Sequence, residues 1–512
     1  METVVVSDMH LSEAQPVDRR RPLWMAYKRR EHFVDDDFAA LLEHVDRAAA
    51  GPVELVLNGD TFDFDNVTQL PADPPGPVDW LARLRGLSSE EWMSEFKVEC
   101  IIRDHPRFFE ALGDFISRGH RAVFVVGNHD VELYWPAVQR RLREALGVSP
   151  QSSRRADPVV FCDWFFVSGG DTYVSHGHQY DPNCVTKSPI NPLISVRGRP
   201  LVRIPFGDLA GRYLLNGMGY FNPHATENFI MSAGQYVRFF FKYMVRTQPL
   251  LIWTWFWGAV ATFVIALRSH LRPAMRDPLL VDDKVQAIAW RSHATPSMVR
   301  KLNALSVPAA SSNPWKIMRE LWLDRGLLFL LSVYAAWQII LHINIAMPVS
   351  PLWAFVPLAV LLPPYFAYAA TVRPTVFTQP LLTPKRAELI AKITGVRMVV
   401  FGHTHVPEQC RIGPLEYHNG GFWSAAFAEP ECLRRIGTQT FVWIRPTGNG
   451  DRRQAELYEW PPAGDEPRTF DPPAGQAQAC IPCAAADGQS SASARRSSSA
   501  SAPDEESRGQ AR

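Results

Sequence analysis

The stretch ETVVVSDMHLS, residues 2–12, decides the reading of this chain. A β-branched run, Thr3-Val4-Val5-Val6, gives way at once to Ser7-Asp8-Met9-His10. Branching at Cβ favours an extended backbone, so the run predicts a strand and the polar residues fall on the loop at its end. The arrangement recurs along the chain. VELVL precedes Gly59-Asp60-Thr61-Phe62-Asp63, AVFVV precedes Gly127-Asn128-His129-Asp130, TYVS precedes His176-Gly177-His178, and RMVVF precedes Gly402-His403-Thr404-His405. Neighbouring strands with Asp-, His- and Asn-rich loops at their ends predict an α/β fold whose loops converge on one site.

The residue types indicate the chemistry. Hydrolysing a phosphoester at neutral pH needs a strong nucleophile and neutralisation of the phosphoryl oxygens. Two metal ions about 3.5–4 Å apart supply both. Asp, His and Asn without Cys suit two divalent ions, Mn first, with Fe, Zn or Co as alternatives. A single Asp-x-His or Gly-His-x-His carries little weight, because such steps arise by chance and a lone His is ordinarily a core or surface residue. The order of the five motifs and their positions behind strands make the case.

The five blocks resemble the calcineurin-like metallophosphoesterase superfamily, with its DxH, GDxxD, GNHD, later His and GHxH steps. The resemblance implies a four-layer sandwich of two mixed β-sheets flanked by helices. It also implies that Asp8, His10 and His405 hold one metal, that Asp60 bridges, and that Asn128, His176 and His403 hold the other. His129 would contact the substrate phosphate and protonate the leaving oxygen, while Asp63 and Asp130 would orient ligands. In the fourth block His176 follows the apolar run directly; His178 is the alternative ligand or a substrate contact.

A closer similarity is to UDP-2,3-diacylglucosamine pyrophosphatase-like proteins, carried by SDMHLS (7–12), NGDTFDF (58–64), SHGHQYD (175–181) and GHTHVPE (402–408). It covers the catalytic portion only. That branch carries Arg where this chain has His129, and its members are much shorter.

Composition sets limits. At 512 residues the chain exceeds one ordinary domain, and its formal net charge of +1 offers no bulk attraction for nucleic acid. Seven scattered Cys predict no disulfide framework and a reducing compartment. The N-terminus enters a strand immediately and reads as lacking a signal peptide.

The middle of the chain differs in kind. Uncharged apolar segments occupy 247–267, 326–346 and 351–370, each about the 20 residues that span a bilayer as helix. Trp253, Trp255, Trp257, Trp337 and Trp353 lie within them or at their ends, and Arg residues flank them. Because Asp8 and His405 must meet, both flanks lie on one side of any membrane, so the number of full crossings is even. A hairpin of 326–346 and 351–370, turning at 347–351, satisfies this. Its outer ends carry Arg319, Arg325 and Arg373 and its turn no charge, the pattern of cytoplasmic ends at a bacterial inner membrane. Segment 247–267 reads as interfacial or re-entrant. The alternative count is zero, with all three segments dipping into one leaflet; Pro351, Pro357, Pro363 and Pro364 keep it open.

The domain reading is therefore a phosphoesterase domain in two parts, 1–185 and 385–460, a helical membrane-associated insertion at 186–384, and a tail at 461–512. Region 276–325 reads as soluble helices, and 186–224 as a wall between site and membrane. The basic run around Arg19-Arg20-Arg21 and Lys28-Arg29-Arg30 is either an anion contact or a solvated loop. The tail is rich in Pro, Ala, Ser and Gly and predicts disorder; His418 reads as a strand-end residue near the site. The expected partners are a phosphoester substrate, lipid-linked or a UDP-lipid, and membrane lipids. The expected activity is metal-dependent hydrolysis of a phosphomonoester, phosphodiester or pyrophosphate at the cytoplasmic membrane surface. UDP-2,3-diacylglucosamine hydrolysis is the narrower alternative, and a non-catalytic membrane scaffold the alternative from another class.

Overall fold

β1 (Glu2–Val6) is buried along its whole length. So are β2 (Val53–Asn58), β3 (Arg121–Val125) after its first residue, β4 (Val159–Cys162), β5 (Phe165–Ser168) and β6 (Thr172–Ser175). A hairpin of β7 (Leu193–Val196) and β8 (Arg199–Val202) follows. Then come β9 (Met398–Phe401), β10 (Glu408–Ile412), β11 (Leu415–Asn419), β12 (Gln439–Pro446), β13 (Arg453–Trp460) and β14 (Arg468–Thr469). The structure is a computed structural model that describes residues 1–148, 157–219, 238–245, 251–275, 281–371, 380–448, 452–461 and 466–471. All of these belong to one unit, Met1–Cys480.

Two sheets are stacked. One runs β14-β13-β12-β1-β2-β3-β4, the other β10-β11-β9-β6-β5. β1 to β4 are mutually parallel, as are β6, β9 and β11; the other pairings within these sheets are antiparallel. Both sheets are thus mixed. Parallel neighbours need crossover connections, and the helices Asp35–Ala48 and Pro106–Ser117 lie in two of them.

The period of two along β1 explains its unbroken apolar run. Val5 points inward and joins Val56, Val123, Val174, Met398 and Val400 between the sheets. Val4 and Val6 point outward onto Phe38, Leu41, Phe108 and Leu112 of the two crossover helices. With both faces covered, a polar residue within β1 would be buried on either side. The outer face of the second sheet carries Tyr173, Val399 and Tyr417, which pack against Ile288, Val299 and Ile390. These come from helices Val281–Arg291, Pro296–Asn303 and Pro384–Thr394. The layers are therefore helix, sheet, sheet, helix. The soluble helices read from 276–325 supply part of the last layer.

Among the described residues, Leu323–Ala346 and Pro351–Thr371 are long and apolar enough to cross a membrane. They pack antiparallel: the ring of Phe329 lies 5.8 Å from Tyr365, and Tyr368 Oη donates to Asp324 Oδ2 at 2.6 Å. Pro363 and Pro364 lie inside the helix Phe355–Thr371 without ending it. The third apolar segment forms the helix Leu251–Leu271. It buries Ala259, Thr262 and Ala266 against the body of the protein, sets Gly258 against the Tyr213 carbonyl, and exposes Trp253 and Trp257.

Some elements were not legible in the sequence. β7, β8 and β10 are short and carry mixed burial, so no apolar run announces them. Arg468–Thr469, read as part of the tail, pairs with β13 as an edge strand. Cys480 and Cys483 lie outside the described residues. Cys100, Cys162, Cys184 and Cys432 are free thiols; Cys410 is disulfide-bonded.

Candidate metal centre

Five loops leave the C-terminal ends of β1, β2, β3, β6 and β9 and meet. The first two are stitched together by backbone bonds, Asp8 N to Gly59 O at 3.2 Å and His10 N to Asp60 O at 2.8 Å. Asp8, His10, Asp60, His403 and His405 all adopt positive φ, at 56°, 51°, 50°, 71° and 58°. This left-handed region costs a non-glycine residue about 1–2 kcal/mol. Five such residues at one point mark a backbone held in place by its surroundings to aim side chains. Small residues clear the space: a Cβ on Gly127 would lie 2.2 Å from Asp60 Oδ1, and one on Gly402 2.0 Å from Ser7 Oγ.

The side chains converge. His405 Nε2 lies 3.2 Å from Asp8 Oδ1 and 3.2 Å from His10 Nε2, and His10 Nε2 lies 4.0 Å from Asp60 Oδ2. On the other side of Asp60, His176 Nε2 lies 3.0 Å from Oδ2. Asp8, His10 and His405 group closely enough to share one ion, and Asp60, His176 and His403 to share another. Asp60 stands between the two groups. Asn128 is buried and its Oδ1 has no protein partner, which leaves a hard oxygen donor for an ion. Such an orphaned acceptor inside the protein fits a metal site. The ring of His176 is oriented for the same purpose, because its Nδ1–H donates to Asn58 O at 3.0 Å and leaves Nε2 toward Asp60.

Electrostatics follow from this crowding. Burial alone would raise Asp60, but His176, His129 and His10 outweigh it and hold the carboxyl well below the ordinary range. Burial would lower His176, yet Asp60 and Asp8 lift it to about 9. The histidines around Asp60 offset its buried charge, a role that divalent ions would take over.

His129 sits at the rim, its side chain 23% exposed, with Nδ1 3.4 Å from Asp63 Oδ1 and Nε2 3.4 Å from Asp208 Oδ1. Burial opposes its charge, but Asp208, Asp63 and Asp60 raise it well above the usual histidine value. Asp130 accepts from the backbone of Gly127 at 2.6 Å and Thr61 at 2.9 Å, so it braces two of the loops. Burial pushes its carboxyl up to about 7.

His178 uses its Nε2 on Gln179 Nε2 at 3.0 Å and Thr186 Oγ1 at 3.3 Å; His176, with Nε2 3.0 Å from Asp60 Oδ2, is the member of the pair beside Asp60. His418 is the penultimate residue of β11, opposite Gln409, and burial lowers it to about 4. In the basic loop, Lys28 is buried against Glu13 at 3.2 Å and Arg30 pairs with Asp104 at 2.5 Å. Those two cations hold the loop to the fold.

Two carboxylates at the centre escaped the sequence reading. Asp181 Oδ2 lies 3.0 Å from His403 Nε2, and Asp208 accepts from Asn128 Nδ2 at 2.9 Å. The QYD step after His178 was a signal for Asp181, three residues beyond a motif. Asp208 had none, since it stands in FGDLA, a short helix with no apolar strand before it.

Residues 1–208 match the model of the calcineurin-like phosphoesterase family. No curated protein matches the chain. The matched segment carries Asp8, His10, Asp60, Asn128, His129 and His176, and the fold brings His403 and His405 to the same place. The chain therefore carries a phosphoesterase domain: it is a hydrolase acting on phosphate esters, with His/Asp clusters that fit divalent metal ions.

Proposed function

We propose that this hydrolase is a dinuclear-metal enzyme acting on a lipid-linked phosphomonoester, phosphodiester or pyrophosphate at the cytoplasmic surface of a bacterial inner membrane. The observation that carries the reading is the apolar hairpin, Leu323–Ala346 with Pro351–Thr371, which rises from the body that holds the His/Asp centre. The most apolar stretches of its two helices are only 11% and 0% buried inside the protein. Exposed apolar surface of that extent calls for lipid or protein to cover it.

Asp8, His10 and His405 would hold one ion and Asn128, His176 and His403 the other, with Asp60 shared. Bound divalent ions supply a nucleophile at neutral pH and neutralise charge on the phosphoryl oxygens. The chain does the rest. His129, partly open to solvent and flanked by Asp63 and Asp208, is placed to donate a proton to the leaving oxygen. The left-handed loops fix the ligands before substrate arrives, so little reorganisation is needed during reaction.

The substrate is tested by incubating Mn-loaded protein with UDP-2,3-diacylglucosamine and following UMP. Release of UMP supports the narrower reading carried by the SDMHLS and SHGHQYD blocks; no UMP, with turnover of other phosphoesters, removes it. Two bound ions without turnover of any phosphoester would favour a scaffold. For topology, a reporter fused at Ser350 should read periplasmic, and a cytoplasmic signal there refutes the spanning hairpin.

A further inference from the structure

The two ion groups are not supported alike. Around Asp8 and His10 the bracing comes from backbone and neighbouring loops. Around Asn128 and His403 it comes from two buried carboxylates outside the five motifs, Asp208 and Asp181. The two are joined: Asn183 N donates to Asp181 Oδ1 at 2.8 Å, and Gly207 N donates to Asn183 O at 2.8 Å. The helix Phe206–Ala210 that carries Asp208 leads into residues 211–218, which lie against the apolar helix Leu251–Leu271.

An asparagine side chain is ambiguous as a ligand, because its oxygen binds a cation and its NH2 repels one. Rotation by 180° exchanges them at little steric cost. Asp208 removes the ambiguity. Its Oδ1 accepts from Asn128 Nδ2 at 2.9 Å, and a carboxylate can only stabilise the orientation that presents NH2 to it. Asn128 Oδ1 is then left buried with no protein partner, free to serve as donor.

We propose that Asp208 is a positioning residue for the second ion, locking the amide of Asn128 so that its oxygen faces the metal. The proposal rests on the two-metal reading above. It makes the segment 206–218, between the centre and the apolar helix, part of the metal site, although that segment carries no metal ligand of its own.

The test is a Mn2+ titration of metal-stripped full-length protein by calorimetry. Asp208→Ala should weaken one of the two binding events by about 10–100-fold, the usual cost of removing a group that orients a ligand, and leave the other unchanged. Asp208→Asn keeps a carbonyl oxygen that can accept from Asn128, so it should stay within about threefold of wild type. In an Asn128→Ala background, Asp208→Ala should have no further effect on affinity, since the amide it orients is gone. Wild-type binding of fewer than two ions would overturn the two-metal reading and this inference with it. Two ions in wild type, with Asp208→Ala binding both equally well, would overturn the inference alone. So would equal losses in the Ala and Asn variants, or additive losses with Asn128→Ala. If Asp208→Ala does not fold, the Asn variant still decides: a loss beyond threefold in folded protein counts against the hydrogen bond.

Discussion

The metal centre and the apolar hairpin solve opposite problems. At the centre, charged and polar groups are buried, and most are answered from within: Asp130 by two backbone amides, His176 by Asn58, His403 by Asp181. In the hairpin, apolar groups stay exposed: the two helices pack on each other, but most of their side chains meet no other part of the described protein. Tyr334, Val360 and Phe366 are 60%, 70% and 61% exposed. A buried polar group must find a partner or lose one to several kcal/mol, and an exposed apolar face must find a partner or aggregate. The first region answers its own polar groups apart from acceptors such as Asn128 Oδ1, and the second leaves an apolar face for something else to cover.

That contrast can be broken at either end. The largest effect is expected in the hairpin. Lysines at Tyr334 and Val360, both mid-helix, cost about 2.5–3.5 kcal/mol each at a bilayer centre. Together they should cut partitioning into lipid vesicles by more than about a thousandfold, with turnover of a soluble phosphodiester unchanged. Unaltered vesicle binding would show that the hairpin is not the lipid contact. The converse variant, Asp60→Ala, should leave vesicle binding intact and lower kcat by about a thousandfold, because both ion groups lose their shared carboxylate. A loss of only a few-fold would remove Asp60 from the centre.

Smaller changes sharpen the division of labour within the site. His129→Ala should cost about a hundredfold in kcat with metal content unchanged; loss of metal instead would make His129 a ligand. Gly127→Ala places a methyl against Asp60 and should cost about tenfold in activity, and wild-type activity would show that the loop yields.

The mildest test is a pH dependence. If His176 is a ligand, as proposed, it must lose its proton to bind an ion, and its surroundings hold that proton up to about 9. Metal affinity should therefore rise with pH throughout the range below about 9 and level off above it. The same raised value stabilises the metal-free fold fully below about pH 6.5, and that contribution fades as pH rises through about 9. An affinity independent of pH over this window would contradict the geometry around Asp60.

Much of the site was readable because a strand followed by Asp, His or Asn is a local signal. Val4 to Val6 needed only their β-branches to be placed in a strand, and Asp8 and His10 then had to fall on its terminal loop. The apolar hairpin was readable for the same reason: twenty uncharged residues are their own evidence. Asp208 was not readable, because its role depends on Asn128, 80 residues away, and on a short helix docking in one orientation. Nor was the placement of helices Val281–Arg291 and Pro296–Asn303 on the second sheet, because an amphipathic helix declares that it has an apolar face but not which surface will cover it. The sequence by itself determined the chemistry and the strands that carry it, since donor type and β-branching act residue by residue. Only the tertiary structure decided which histidine of the fourth motif faces Asp60, and which carboxylates brace the second ion group. Those depend on distances between loops that are far apart in the chain and adjacent only once the two sheets have packed.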